Sequence, residues 1–222
     1  MKALSRLPLA LVLLFVAIPL FAQDAPGEAL FKRLQQLNAT VFATGSTDFG
    51  KLEELRKSQA DGQAPQVAIL SCADSRTPPE LLFRQSLGGI FVVRAAGNVA
   101  DPFAIASLEY AVTQKDPWNT ILIIVMGHSD CGAVKAALNP GDAPTPSLQE
   151  LLDRIRESFV GYRYTANPTK QSLRIATEAN ARASANYLVA HSTVLRSAVG
   201  SRKIVIIPAY YDIPSGLVTD LR

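Results

Sequence analysis

The sequence predicts an α/β fold: a central, mostly parallel β-sheet flanked by helices, with a helical arm ahead of it. Short, nearly all-apolar runs rich in β-branched residues, such as Gln66–Cys72 and Thr120–His128, read as strands buried on both faces. Amphipathic helical stretches separate them, and strands that alternate with helices imply parallel pairing through crossovers. The apolar runs also end abruptly in polar clusters, Cys72-Ala73-Asp74-Ser75-Arg76 and His128-Ser129-Asp130-Cys131-Gly132, where parallel sheets place their sites.

From the N-terminus, Lys2 and Arg6 precede Leu7–Ala22, an uncharged 16-residue run containing Pro8 and Pro19. A membrane-spanning helix needs about 20 apolar residues, so Met1–Ala22 reads as a signal peptide removed after Ala22, and the mature protein as periplasmic or secreted. Residues 23–222 then form one domain. Gly27–Ser58 carries Leu30, Leu34, Leu37, Leu52 and Leu55 at helical spacing, which predicts two helices joined near Gly45. Thr77-Pro78-Pro79-Glu80 opens a short helix, Ile90–Arg94 is a second strand, and Asp101-Pro102 caps a helix presenting Ile105, Leu108, Ala111 and Val112 on one side. A helix starts at Cys131 and stops before Pro140; the Pro-rich Gly141–Pro146 is a loop, and Ser147–Phe159 is helical. One long helix is expected from Gln171 to about Ser197, with Leu173, Ala176, Asn180, Ala183, Tyr187, His191 and Leu195 on one stripe. Lys203–Asp212 is the last strand, followed by a turn at Pro214-Ser215-Gly216.

Composition narrows the function classes. With 222 residues, 48% hydrophobic residues, 18% charged residues and two cysteines, the chain is neither disordered nor a disulfide-dense miniprotein. Removing Lys2 and Arg6 leaves 20 basic against 19 acidic residues, so nothing argues for nucleic-acid binding. Two cysteines in an exported chain would ordinarily read as a disulfide, and Cys72–Cys131 is that alternative.

Chemistry offers another reading of the same cysteines. Two thiolates and an imidazole form a soft ligand set suited to zinc, and three protein ligands leave one tetrahedral position open. His128-x-x-Cys131 fits a turn that converges on one ion, with Cys72 arriving from a neighbouring strand. Arg76 can grip Asp74 bidentately and hold it beside the metal; released, Asp74 is the natural fourth ligand.

The Cys-x-Asp-x-Arg and His-x-x-Cys motifs, 56 residues apart from Cys72 to His128, resemble the β-class carbonic anhydrases. The resemblance extends through Ile90–Val99, Ser107–Val112 and the Tyr211 region, covering about Gln63 to Val218. It implies a Zn²⁺ cofactor on Cys72, His128 and Cys131, and an Asp74–Arg76 dyad that orients or gates the metal-bound water. It also implies bicarbonate or carbon dioxide contacts from Gln63, Phe91 and Tyr110, and a homodimer or dimer of dimers wrapped by residues 27–58. The implied reaction is reversible hydration of carbon dioxide to bicarbonate and a proton. A hydrolase of carbonyl sulfide or carbon disulfide on the same scaffold, and a non-catalytic zinc- or disulfide-stabilised exported binding protein, are the alternatives.

Overall fold

The computed structural model describes residues 52–83, 85–114, 120–139, 141–159, 165 and 167–222. The expected signal peptide, most of the expected N-terminal arm, Arg84 and the Lys115–Asn119 segment with Trp118 lie outside the described residues. The chain divides into two compact units, Met1–Glu53 and Glu54–Arg222, and the second holds everything described below except the first two residues of helix α1 (Leu52–Ser58).

Strands β1 (Val67–Ser71), β2 (Ile90–Arg94), β3 (Leu122–His128), β4 (Val205–Asp212) and β5 (Leu217–Asp220) form a sheet in the order β2-β1-β3-β4-β5. The first three pairings are parallel and the last antiparallel, as a mostly parallel sheet requires. The β4–β5 hairpin was not expected. Its turn needs Gly216 at φ 72°, and Asp212 accepts from the backbone and hydroxyl of Ser215, so a short polar-looking Leu217–Asp220 segment pairs because the turn delivers it to β4.

Side chains alternate across the sheet. Ala68, Leu70, Ile123 and Val125 face a core closed by α3 (Pro102–Thr113), α6 (Lys170–His191) and α7 (Thr193–Gly200), through Leu108, Val112, Leu188 and Leu195. Ile69, Met126, Ala209 and Tyr211 face the other side, against the short α2 (Pro79–Leu82) and Phe83. The Asp101 cap behaves as the sequence suggests, its carboxylate accepting from the Ala104 N–H at 2.7 Å, and α3 buries Ile105, Leu108, Ala111 and Val112.

The long C-terminal helix is a correction. It is two helices, α6 and α7, broken at Ser192. The Ser192 hydroxyl accepts from Leu195 N–H at 3.0 Å and donates to Glu109 Oε1 at 2.5 Å, so a side chain that caps in preference to continuing the helix redirects the chain. The buried stripe of α6 consists of Leu173, Ala176, Thr177, Asn180, Ala181, Ser184, Ala185 and Leu188. His191 is exposed instead, its ring stacked 3.6 Å from that of Tyr187.

Candidate metal centre

The parallel register sets Ser71 opposite Met126, which carries Cys72 to the level of Gly127, one residue short of His128. Close packing of α6 fixes this end of β3: a Cβ on Gly127 would sit 2.8 Å from Thr177 Cγ2 and 3.2 Å from the Thr177 carbonyl oxygen. After β3 the chain turns sharply, with Asp130 at φ 52°, and Cys131 becomes the cap of α4 (Gly132–Leu138). Two cysteines 59 positions apart thereby meet.

Their sulfurs are 3.9 Å apart, and both cysteines are free. This is nearly twice a disulfide bond length of about 2.05 Å, so the Cys72–Cys131 disulfide is not formed. Two metal–sulfur bonds of about 2.3 Å at a tetrahedral angle span about 3.8 Å. The ligand atoms of Cys72, His128 and Cys131 all lie within 4.8 Å of one another, and all three residues are buried.

The histidine is presented in a definite sense. Its Nδ1 lies 2.9 Å from the Ser129 carbonyl oxygen, which can only accept, so Nδ1 carries the hydrogen and Nε2 keeps its lone pair. That Nε2 is buried and has no hydrogen-bond partner. A buried acceptor left unpaired costs about 1–3 kcal/mol, and coordination to a cation shared with the two sulfurs removes that cost. The donor set and the unpaired nitrogen both fit zinc. The surroundings are apolar: the cysteines pack with Val99, Val134 and Leu138, with Leu152 and Ile155 of α5 (Pro146–Arg156), and with Phe159 and Leu173.

The thiols do not ionise alike. The Cys72 thiol is drawn well below its ordinary range, first by its hydrogen bond with Cys131, against burial, and further by His128 and the backbone N–H groups of Asp74 and Gly97. The Cys131 thiol is pushed up by the same pairing, by burial and by the Cys72 charge, while the Val134 and Ala133 N–H groups act in the opposite sense. The pairing thus makes one thiol of the two easier to deprotonate and the other harder.

Beside the three ligands, Asp74 Oδ2 lies 3.8 Å from His128 Nε2. Arg76 engages this carboxylate three times: backbone N–H and Nε donate to Oδ1 at 2.9 Å each, and Nη2 donates to Oδ2 at 2.8 Å. Arg76 Nη2 also donates to the Asp130 carbonyl at 3.2 Å, tying the two clusters together. The Arg76 side-chain hydrogen bonds, more than its charge, hold the Asp74 carboxyl well below the usual carboxylate range. Behind the loop, Arg94 donates from Nε to the Cys72 carbonyl at 3.0 Å and from Nη2 to the Asp74 carbonyl at 2.5 Å.

The structure brings together Cys72, Asp74, Arg76, His128 and Cys131. It does not bring Gln63, Phe91 and Tyr110 to them. Gln63 is exposed, ahead of β1 and at the opposite end of that strand from Cys72. Phe91 pairs in register with Ala68, four residues and about 13 Å short of Cys72. It lies near Tyr110, with ring centroids 6.2 Å apart. Sequence reasoning overlooked Arg94, the Ser129 carbonyl and the Gly97 N–H, which donates to Cys72 Sγ at 3.3 Å. Two of these contacts use the backbone, which no residue type announces.

Comparison with known proteins agrees with this geometry. A family model described as carbonic anhydrase matches residues 67–218. Carbonic anhydrase of Mycolicibacterium smegmatis is 40% identical over 136 residues, which are 60% of this chain and 64% of that protein. Carbonic anhydrase 2 of Mycobacterium tuberculosis is 39% identical over 135 residues, again 60% of this chain and 64% of that protein. The chain therefore spans less than two thirds of the length of these curated relatives. In fold it resembles a structure from a study of two tetrameric β-carbonic anhydrases of the filamentous ascomycete Sordaria macrospora, with TM-score 0.72 and 23% identity over 87% of this chain and 97% of that one. The matched region runs from β1 into β5 and contains both polar clusters; the chain belongs to the carbonic anhydrase family.

Proposed function

We propose that this protein catalyses the reversible hydration of carbon dioxide to bicarbonate and a proton, with zinc held by Cys72, His128 and Cys131. The observation that carries the reading is the meeting of two sulfurs 3.9 Å apart with an unpaired, buried His128 Nε2, next to a carboxylate already claimed by Arg76. Zinc at such a site supplies an acidified water and stabilises developing negative charge. The residues do the rest. Asp74 stays ionised and accepts a hydrogen bond from the attacking water, which orients an oxygen lone pair toward the substrate carbon. Arg76 restrains that carboxylate from swinging onto the cation. The apolar packing around both cysteines excludes bulk water and favours an uncharged gas.

Gln63, Phe91 and Tyr110 serve as substrate contacts in this proposal, supplied from a second copy of the chain in a homodimer. Their distance from the metal group within one chain supports that, as does the 52% exposure of Tyr110. The charge pattern of Met1–Ala22 supports export, and the N-terminal sequence of protein recovered from the periplasmic fraction tests it.

Stopped-flow carbon dioxide hydration on metal-analysed protein tests the function. The parent is expected to hold one zinc per chain and to be active, with the rate rising on the alkaline side of about pH 7, because two thiolates cancel the ion's formal charge. Cys72→Ser is expected to lose both metal and activity. A zinc-replete parent with no hydration rate overturns the proposal.

A further inference from the structure

Of the backbone N–H groups that act on the Cys72 sulfur, that of Gly97 belongs to a residue itself clamped from behind. After β2 the chain makes a short 3-10 turn, Ala96–Asn98, which the β1–β2 pairing lays against the metal centre: Ala73 N–H donates to the Ala95 carbonyl at 3.2 Å and Ala95 N–H to the Ser71 carbonyl at 3.1 Å. Gly97, at φ 65°, occupies the left-handed region in the middle of this turn. Three contacts fix it. Its N–H donates to Cys72 Sγ at 3.3 Å, its carbonyl accepts from Asn180 Nδ2 at 2.7 Å, and its α-carbon faces Ile155 so closely that a Cβ there would lie 2.7 Å from Ile155 Cδ1.

Asn180 is 2% exposed and sits on the otherwise apolar and small-residue stripe of α6. A buried amide in that position costs free energy unless it is hydrogen-bonded, and its bond here crosses 83 residues of sequence to reach the turn. Helix α6 also packs against β3, which carries His128, so the same helix braces two sides of the centre.

We propose that Asn180 is a positioning residue for the metal centre: by fixing the Gly97 carbonyl it holds the Gly97 N–H on Cys72 Sγ and so moderates the electron density that this thiolate donates to the bound ion. The proposal rests on the zinc reading above and adds a residue that touches neither substrate nor metal. A hydrogen bond to a thiolate lowers the energy of the sulfur lone pair. The Gly97 carbonyl and N–H lie in successive peptide planes joined at the Gly97 α-carbon, so loss of the Asn180 bond lets the N–H drift from the sulfur, which raises that energy, makes the sulfur a stronger donor to the metal and loosens the geometry in which it is offered.

The test uses the full chain loaded with cobalt(II) in place of zinc, with the sulfur-to-cobalt charge-transfer absorption as the readout. Asn180→Leu, close in size and without a donor, and Asn180→Ser, too short to reach the carbonyl, are compared with the parent. Leu188→Ala is the control: it loosens the same helix two turns on, in the core against the sheet. The expected result is a charge-transfer band moved to longer wavelength in both Asn180 variants and unmoved in Leu188→Ala. Zinc affinity in the Asn180 variants, read by chelator competition, is expected to fall about tenfold. An unmoved band in the Asn180 variants, or an equal movement in Leu188→Ala, overturns the proposal while leaving the zinc reading intact. A parent that takes up no stoichiometric cobalt overturns the zinc reading and this inference together.

Discussion

Arg76 meets the Asp74 carboxylate edge-on, with Nε 2.9 Å from Oδ1 and Nη2 2.8 Å from Oδ2. A bidentate pair of this kind fixes direction as well as distance. Asp74 Oδ2 lies 3.8 Å from His128 Nε2, and replacing Arg76 with Ala leaves this carboxylate free to turn toward a cation held by that nitrogen. Carbon dioxide hydration at neutral pH is expected to fall by about 10- to 100-fold with zinc retained. Stopped-flow rates and metal analysis on the same sample check both halves of that statement.

The same pair makes stability depend on acidity. The folded-state pKa of Asp74 lies below its unfolded value of about 3.9, so the folded state gains from this group above that pH and loses the gain as pH falls toward the depressed folded pKa. Urea midpoints measured between about pH 6 and pH 3 are expected to drop more for the parent than for Asp74→Asn, which has no proton to take up. Parallel curves for the two proteins would count against a folded-state Asp74–Arg76 pair.

Gly97→Ala confronts the turn with two separate penalties. The added methyl collides with Ile155, and φ 65° costs an L-residue about 1–2 kcal/mol. The melting temperature is expected to fall, and adding Ile155→Val is expected to restore only the steric part. Full recovery in the double variant would show that backbone conformation carries no cost here.

Ser192→Ala removes the cap of α7 and the hydrogen bond to Glu109 in one step. Because Ser192 is 1% exposed, Glu109 loses a partner that water replaces poorly. The expected loss is about 1–2 kcal/mol in urea unfolding, with carbon dioxide hydration unchanged at temperatures where both proteins are folded.

Much of the site was legible because its chemistry is concentrated in residue types. Cys72, His128 and Cys131 announce a soft-metal donor set, and β1 and β3 are apolar enough to be read as neighbouring buried strands that deliver them to one end of a sheet. The remainder depends on backbone and on residues with double meanings. Ser192 belongs to a helical pattern and also to a cap, and its choice is settled by Glu109, 83 positions away. The Leu217–Asp220 strand owes its pairing to the turn before it, and the Gly97 N–H has no side chain to betray it. Asn180 was visible as a polar residue on an apolar stripe, yet its partner is a carbonyl that only the folded chain reveals.

The three candidate ligands straddle the seam between β1 and β3, joining residue 72 to residues 128 and 131 across the middle of the sheet. An ion there is a rivet between two stretches of chain far apart in sequence, and its binding energy is added to the free energy of folding. Scarcity of the element would then thin the protein's population as well as silence it, since unloaded copies open more often and are cleared sooner by proteases.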